Sequence, residues 1–406
     1  MRISILLERE PFGEIFEKTL SGFLKSHYGQ VYNVTWRKAF SFAKANINSQ
    51  TWLCNPYINA IFVEEVHRQT LLPVILEFAR SEKWWRRPFQ KIYVDLSTKQ
   101  GTCRWFAQYI MEVSPPLMNT ENLLILGGNH HIRLLDYNDG VAFIIHKDGF
   151  NKEFMNNDIN VRKENPYLPC PIMKGIAEDT SWYSEELILG TPINRLGDQD
   201  QVEGAVIDVM VPLFQLYEKT ARKLKVCEYA SDIINRVEVH MRQNTCFDLE
   251  AIENIGRAII ALSKHINRYG TKEIFVGQTH GDFQPANILL GEKGSWLIDW
   301  EYTAERQLAY DALVFVLKAR TSQHLVERMV HALNDGGECR QLLSENPFVE
   351  WHDKKYRYVS MVLFMLEELE LKILENSNPL FFRSCNKFNV FLNEVQSVVQ
   401  VIEGLS

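Results

Sequence analysis

The chain has 406 residues, 46% of them apolar and 23% charged, with a formal net charge of −7. Those figures are ordinary for a soluble globular protein with room for two or three domains. The acidic balance argues against general nucleic-acid or anionic-membrane binding. No apolar stretch reaches eighteen residues, which predicts no membrane span. The opening Met1-Arg-Ile-Ser-Ile-Leu-Leu-Glu-Arg9 has too short an apolar run for a signal peptide. Seven cysteines (54, 103, 170, 227, 246, 339, 385) are scattered and never form a CxxC pair. This is free-thiol usage in a reducing compartment, and it predicts a cytoplasmic protein. Asn33-Val-Thr35 is a glycosylation sequon by spelling only.

In chain order, Ile3–Leu7 reads as a buried strand, followed by a helix with Phe12, Ile15, Phe16, Leu20, Phe23 and Leu24 on one stripe. Val31–Trp36 is strand-like, and Val66–Phe78 helix-like apart from Pro73. The basic cluster Lys83-Trp-Trp-Arg-Arg87 with Lys91 reads as a solvated helix end before Pro88, or as a phosphate- or glycan-binding patch. Lys91–Asp95 is strand-like, and Trp105, Phe106, Tyr109 and Ile110 mark another amphipathic helix. Strands alternating with helices predict a small α/β module over residues 1–116, bounded by Pro115-Pro116.

Leu123–Leu126, Ile132–Tyr137 and Val141–His146 then predict antiparallel strands, joined by the turns Gly127-Gly128-Asn129 and Asn138-Asp-Gly140. In the third strand Val141, Phe143, Ile145 and Lys147 share one face. A lysine ending an apolar inward face needs an anion, because an unpaired buried ammonium is costly; nucleotide phosphates are one such partner. The alternative is that Lys147 opens the loop Asp148-Gly149 and points to water. Backbone N–H groups of Gly127 and Gly128 could likewise close over phosphates. Residues 202–224, 229–241, 249–267 and 353–375 are helical by period.

The most informative stretch is Thr279-His-Gly-Asp-Phe-Gln-Pro-Ala-Asn287, then Leu297-Ile-Asp-Trp-Glu301. Ile288–Leu290, the turn Gly291-Glu-Lys-Gly294 and Ser295–Ile298 predict a hairpin in which Leu290 pairs with Ser295. Asn287 then faces Ile298, and Asp299 emerges beside it where the Asp282 loop enters. Three oxygen-bearing side chains converging there suit a hard cation such as Mg²⁺ and the positioning of a hydroxyl.

His280-Gly-Asp282, Asn287 and Ile298-Asp-Trp-Glu301, with Tyr310-Asp311 downstream, resemble the signature of the aminoglycoside phosphotransferase and choline kinase family. The resemblance covers residues 120–406, most strongly 275–315. It implies an α+β, two-lobed protein-kinase-like fold behind the α/β module: a nucleotide-binding small lobe (117–190) and a helical catalytic lobe (191–406). It implies ATP and Mg²⁺ as cofactors, Asp282 accepting or orienting the acceptor's hydroxyl proton, and Asn287 and Asp299 as metal ligands. His280 is expected to be structural. Lys147 falls where the family places its nucleotide lysine, and Glu153 is the favoured carboxylate partner on the next helix over Asp158 and Glu164. Ser184–Pro192 resembles the inter-lobe hinge, with backbone groups from Glu186 to Ile188 reading adenine.

The expected activity is transfer of the γ-phosphate to a hydroxyl of a small molecule: an amino alcohol, aminoglycoside or sugar, the last including a cell-surface glycan precursor. Glu301 and Asp311 are substrate candidates by position. Glu367, Glu368, Glu370 and Glu375 would favour a cationic acceptor if they line the site, or form a solvated helix face. Trp300, Tyr302, Trp351 and Tyr356 read as core rather than as an ammonium cage. A protein kinase is disfavoured because no HRD, DFG or APE element appears. A catalytically silent nucleotide-binding protein is the other alternative.

Overall fold

The computed structural model describes residues 2–39, 48–79, 83–243, 247–321, 324–335, 342, 346–382 and 386–405. Cys246, Cys339 and Cys385 lie outside the described residues; Cys54, Cys103, Cys170 and Cys227 are free thiols. The chain is α+β and forms two compact units, one of residues 1–152 and 171–188, the other of 153–170 and 189–406.

The first unit contains α1 (Ile3–Arg9), α2 (Phe12–Tyr28), β1 (Asn33–Lys38), β2 (Gln50–Asn55), β3 (Ala60–Phe62), α3 (Arg68–Phe78), α4 (Arg87–Thr98) and α5 (Cys103–Phe106). β4 (Tyr109–Ser114), β5 (Leu123–Gly127), β6 (His131–Asp136), β7 (Val141–His146), β8 (Met173–Ile176) and β9 (Trp182–Glu186) follow. All nine strands share one sheet, ordered β1-β4-β2-β3-β5-β6-β7-β9-β8, with antiparallel pairings throughout. The boundary expected at Pro115-Pro116 therefore does not separate two compact bodies. Ile61 pairs with Ile125 and carries the sheet across it. Phe12, Phe16 and Leu20 of α2 pack with Trp52, Met111, Ile132 and Phe143 on one side. Leu71 and Val74 of α3 and Val94 of α4 pack with Leu53, Phe62 and Leu124 on the other.

Three local expectations change. Ile3–Leu7 is helical, burying Ile3 and Leu6 three residues apart; a short apolar run does not distinguish a helix from a strand. Lys91–Asp95 lies inside α4, whose start is set by Pro88 in its first turn, so the basic cluster opens a helix instead of ending one. Tyr109 and Ile110 belong to β4, because the helix begun at Cys103 stops at Phe106.

The second unit is mainly helical: α6 (Glu153–Glu164), β10 (Thr191–Pro192), α7 (Gln199–Thr220), β11 (Arg222–Lys225), α8 (Val226–Gln243), α9 (Leu249–Asn267), β12 (Glu273–Thr279), β13 (Ile288–Gly291) and β14 (Gly294–Leu297). β15 (Ala304–Gln307), α10 (Tyr310–Val316), α11 (Leu325–Asp335), α12 (Lys354–Glu375) and α13 (Asn386–Leu405) complete it. Its strands form two small sheets, β10-β13-β14 and β11-β12-β15. In α12, Tyr356, Val359, Val362, Leu363, Leu366, Leu369 and Ile373 are all buried, as their spacing predicts. Val209, Met210, Leu213 and Leu216 of α7 pack on Phe283, Ile288 and Leu297, which seats the hairpin on the helical core.

Candidate active site

β12 delivers the chain to Thr279, and the next turn is built by backbone donors converging on one buried carboxylate. Asp311, fully buried in α10, accepts from the His280 N–H at 2.8 Å, the Gly281 N–H at 2.9 Å and the Tyr217 hydroxyl at 2.8 Å. Asp311 is therefore a loop anchor, and the substrate role expected from its position is corrected. Gly281 has φ +86°, and a Cβ there would meet the Tyr302 carbonyl oxygen at 2.0 Å, so only glycine fits. His280 is buried and structural, as expected. Its Nδ1 accepts from the Asp282 N–H at 3.2 Å, which leaves Nε2 to donate to the Ile298 carbonyl at 3.0 Å; this is the neutral tautomer.

The Gln284 carbonyl accepts from the Asn287 N–H at 2.9 Å, with Pro285 at the second turn position. That turn brings Asn287 back to Asp282. The Asn287 amide donates to the Asp282 carbonyl at 2.9 Å and to its Oδ2 at 2.8 Å. Both acceptors are oxygens, so the nitrogen must face them and the Asn287 carbonyl oxygen is directed elsewhere. The hairpin register is Leu290 to Ser295, Leu289 to Trp296 and Ile288 to Leu297, and the Ile298 N–H reaches the Asn287 carbonyl at 3.0 Å. This is the pairing the sequence predicts. Asp299 follows at once in the left-handed region (φ +71°, ψ +55°), a conformation aspartate tolerates better than most residues. Glu301 is buried in the turn that follows.

Arg320, which nothing in the sequence singles out, completes the loop. Its Nε donates to Asp282 Oδ1 at 2.6 Å, its Nη1 to Glu368 Oε2 at 2.5 Å and its Nη2 to the Gly281 carbonyl at 3.0 Å. Gln284 Nε2 donates to Asp282 Oδ2 at 2.7 Å, so both carboxylate oxygens carry donors. Burial alone would raise the Glu368 carboxyl, but the Arg320 guanidinium, aided by Lys372 and the Tyr310 hydroxyl, holds it below its ordinary value.

The acidic residues of α12 are neither a solvated face nor an open acidic lining. Glu367 receives the Tyr229 hydroxyl and Gln307, Glu370 a bidentate Arg236, and Glu375 Lys372. Burial pushes Glu367 up to about 7 against those hydrogen bonds. Trp300, Tyr302, Trp351 and Tyr356 are buried in core clusters, as read from the sequence.

In the first unit Lys147 is fully buried, which excludes the reading that it points to water. Its Nζ lies 2.6 Å from Glu10 Oε1 and 3.0 Å from the Asn129 carbonyl, between the rings of Phe12 and Phe150. Glu10 also binds Arg9. In this unit the carboxylate paired with Lys147 is Glu10, from the start of the chain, while Glu153, the expected partner, opens α6 of the other unit. Asp158 pairs with Arg162 at 3.3 Å. Gly127 and Gly128 have reasons internal to the fold. A Cβ on Gly127 would meet Ile3 at 2.6 Å, and one on Gly128 the His131 carbonyl oxygen at 2.5 Å. The Glu186 N–H donates to the Ile172 carbonyl and the Leu187 N–H to that of Gly140, so any reading of adenine by these two residues would fall to their carbonyl oxygens; Ile188 is the last residue of this unit.

Mg²⁺ typically takes one or two protein side chains and completes its shell with water and phosphate oxygens. The outward carbonyl of Asn287, one register step from Asp299, fits that donor set. Among the described residues no group of three His, Cys, Asp or Glu side chains could hold a metal.

No family model and no curated protein matches the sequence. Solved structures that resemble the fold include the apo form of a thermostable mutant of aminoglycoside phosphotransferase APH(4)-Ia (12% identity, covering 69% of this chain and 94% of that one, TM-score 0.45). Others are Plasmodium vivax ethanolamine kinase (12%, 83% and 96%, TM-score 0.40) and Cryptosporidium parvum choline kinase (14%, 71% and 93%, TM-score 0.42). At these identities and scores the likenesses are distant.

Proposed function

We propose that the chain is an ATP- and Mg²⁺-dependent phosphotransferase acting on a hydroxyl of a small molecule. The observation that carries the reading is the joint between Asp282 and Asn287. One amide fixes the carboxylate's orientation with its nitrogen and offers its oxygen to a cation. Asp282, with Arg320 on Oδ1 and Asn287 and Gln284 on Oδ2, is held in one rotamer, and a remaining lone pair on Oδ1 accepts the acceptor's hydroxyl proton. Mg²⁺, when bound at Asn287 and Asp299, would bridge the nucleotide phosphates and offset their charge. Lys147 keeps the phosphate role that the resemblance implies only if nucleotide binding opens the enclosure that Glu10, the Asn129 carbonyl and the rings of Phe12 and Phe150 make around its ammonium. Since the α12 carboxylates are satisfied internally, they give no preference for a cationic acceptor.

A second reading is favoured by the same donors on Asp282: a carboxylate so fully bonded suits a catalytically silent nucleotide-binding protein. A transfer screen with Mg²⁺-ATP over amino alcohols, aminoglycosides and sugars separates them. Asp282→Asn should lower transfer by about 10²–10⁴-fold while keeping the Mg²⁺-ATP thermal shift. Asp299→Ala should remove that shift. Wild-type turnover in both variants sinks the assignment, and binding without transfer to any acceptor favours the silent reading.

A further inference from the structure

We propose that the start of α4 and its flanking turn form a docking surface for anionic lipid headgroups. Residues 83–91 carry four basic side chains (Lys83, Arg86, Arg87, Lys91) and no acidic one, in a chain of net charge −7. The rest of the surface thus disfavours an anionic membrane, and this face is its local opposite. Interleaved with those cations are large apolar side chains left in water: Trp84 is 78% exposed and Phe89 70%, with Trp85 at 50% and Ile92, one residue past Lys91, at 59%. On α4, Phe89, Ile92 and Leu96 stand at i, i+3 and i+7, so they share one outward stripe, while Val94 packs into the core.

Solvated helix faces carry polar residues, and scattered single apolar residues need no explanation, but a cluster of this kind marks an interaction site. Two further features choose the partner. Arg86 and Arg87 sit at the N-terminus of α4, where cations oppose the helix dipole; the positive potential there exceeds what the side chains alone give. Tryptophan and phenylalanine flanked by arginine and lysine match a headgroup boundary, where rings enter the acyl edge and long basic side chains reach phosphate. A symmetric contact between two copies of this chain would instead set four cations against four.

The test is co-sedimentation of the full chain with vesicles of phosphatidylcholine alone and of phosphatidylcholine mixed equally with phosphatidylglycerol. The proposal expects binding to the mixed vesicles only, weakened by salt. Arg86→Gln/Arg87→Gln should reduce it by about tenfold or more, and Trp84→Ala/Phe89→Ala should reduce it comparably with unchanged circular dichroism. Should a variant fail to fold, quenching of wild-type tryptophan fluorescence by brominated lipid reports insertion directly. Equal binding to both vesicle types, or no binding to either, overturns the proposal. So does a wild-type dimer that Trp84→Ala/Phe89→Ala converts to monomer without any lipid affinity, which would make the face a protein interface.

Discussion

Replacing Arg320 by Met tests how the catalytic loop is held. The side chain is 17% exposed and serves two carboxylates, Asp282 and Glu368, whose side chains are 9% and 3% exposed. Methionine keeps the stem's volume and removes the hydrogen bonds to Asp282, Glu368 and the Gly281 carbonyl, with the longer one to the Tyr310 hydroxyl. Two buried carboxylates are then left facing each other without their shared cation, a loss worth about 3–5 kcal/mol for a broken buried pair. For a unit of this size that corresponds to about 10 °C in Tm. The effect should depend on pH with a definite sign. In the wild type the depressed Glu368 carboxyl contributes stability that is present above its unfolded pKa and is lost as pH falls through the folded value. In the variant, burial acts on Glu368 unopposed by the guanidinium, so stability is instead lost as pH rises. The gap between the two proteins should therefore widen from pH 4 to pH 8, read by thermal unfolding in matched buffers. Adding Glu368→Gln to the variant removes one orphaned charge and should recover part of the loss. A single variant whose Tm at pH 8 lies within about 2 °C of wild type refutes the account of this ion cluster.

Four further outcomes follow from the same structure. Glu367 has its carboxyl raised from 4.5 to about 7, so its contribution is complete below pH 4.5 and disappears as pH climbs through 7. Wild type should lose about 3 kcal/mol across that window, and Glu367→Gln should flatten the curve; an unchanged slope in denaturant titrations would contradict this. Glu10→Gln should destabilise more than Lys147→Met, because it removes the negative charge that the buried Arg9 and Lys147 share and leaves them their neutral Asn129 contacts, whereas the lysine variant leaves the Arg9–Glu10 pair intact. Urea unfolding of the two variants side by side decides the order. Gly281→Ala, with its Cβ forced onto the Tyr302 carbonyl, should cost about 3 kcal/mol or more and should release the His280 and Gly281 N–H groups from Asp311, visible as faster amide exchange. Asp282→Asn should lose transfer and also some stability, since an oxygen kept at Oδ2 for Gln284 and Asn287 turns the new amide nitrogen toward the Arg320 Nε donor; transfer falling no further than the folded fraction would contradict the proton-accepting role.

The hairpin between Ile288 and Leu297 was legible residue for residue, because a four-residue turn between two short apolar runs permits few registers. The three strands around Gly127 and Gly140 were legible for the same reason. What the sequence hid were contacts at long separation. Arg320 lies 38 residues from Asp282, and Glu10 lies 137 from Lys147. Neither partner sits in a local pattern, and a charged residue destined for burial looks like any other until its counter-ion is known. Glu367 and Glu368 misled for a related reason: successive acids on a helix suggest solvent, but here phenols and guanidinium groups approach from neighbouring helices. The first 116 residues read as a separate module because helices interrupt their strands; the pairing of Ile61 with Ile125 is non-local and leaves no periodic trace.

That one pairing determines how the protein can be cut. A chain begun at residue 117 would present β5 as a bare edge, with a row of backbone groups ready to recruit another strand. It would also leave Lys147 with neither Glu10 nor the ring of Phe12 around it. A shortened gene product should accumulate as aggregate, and supplying residues 1–116 as a separate polypeptide becomes a complementation experiment rather than a domain swap.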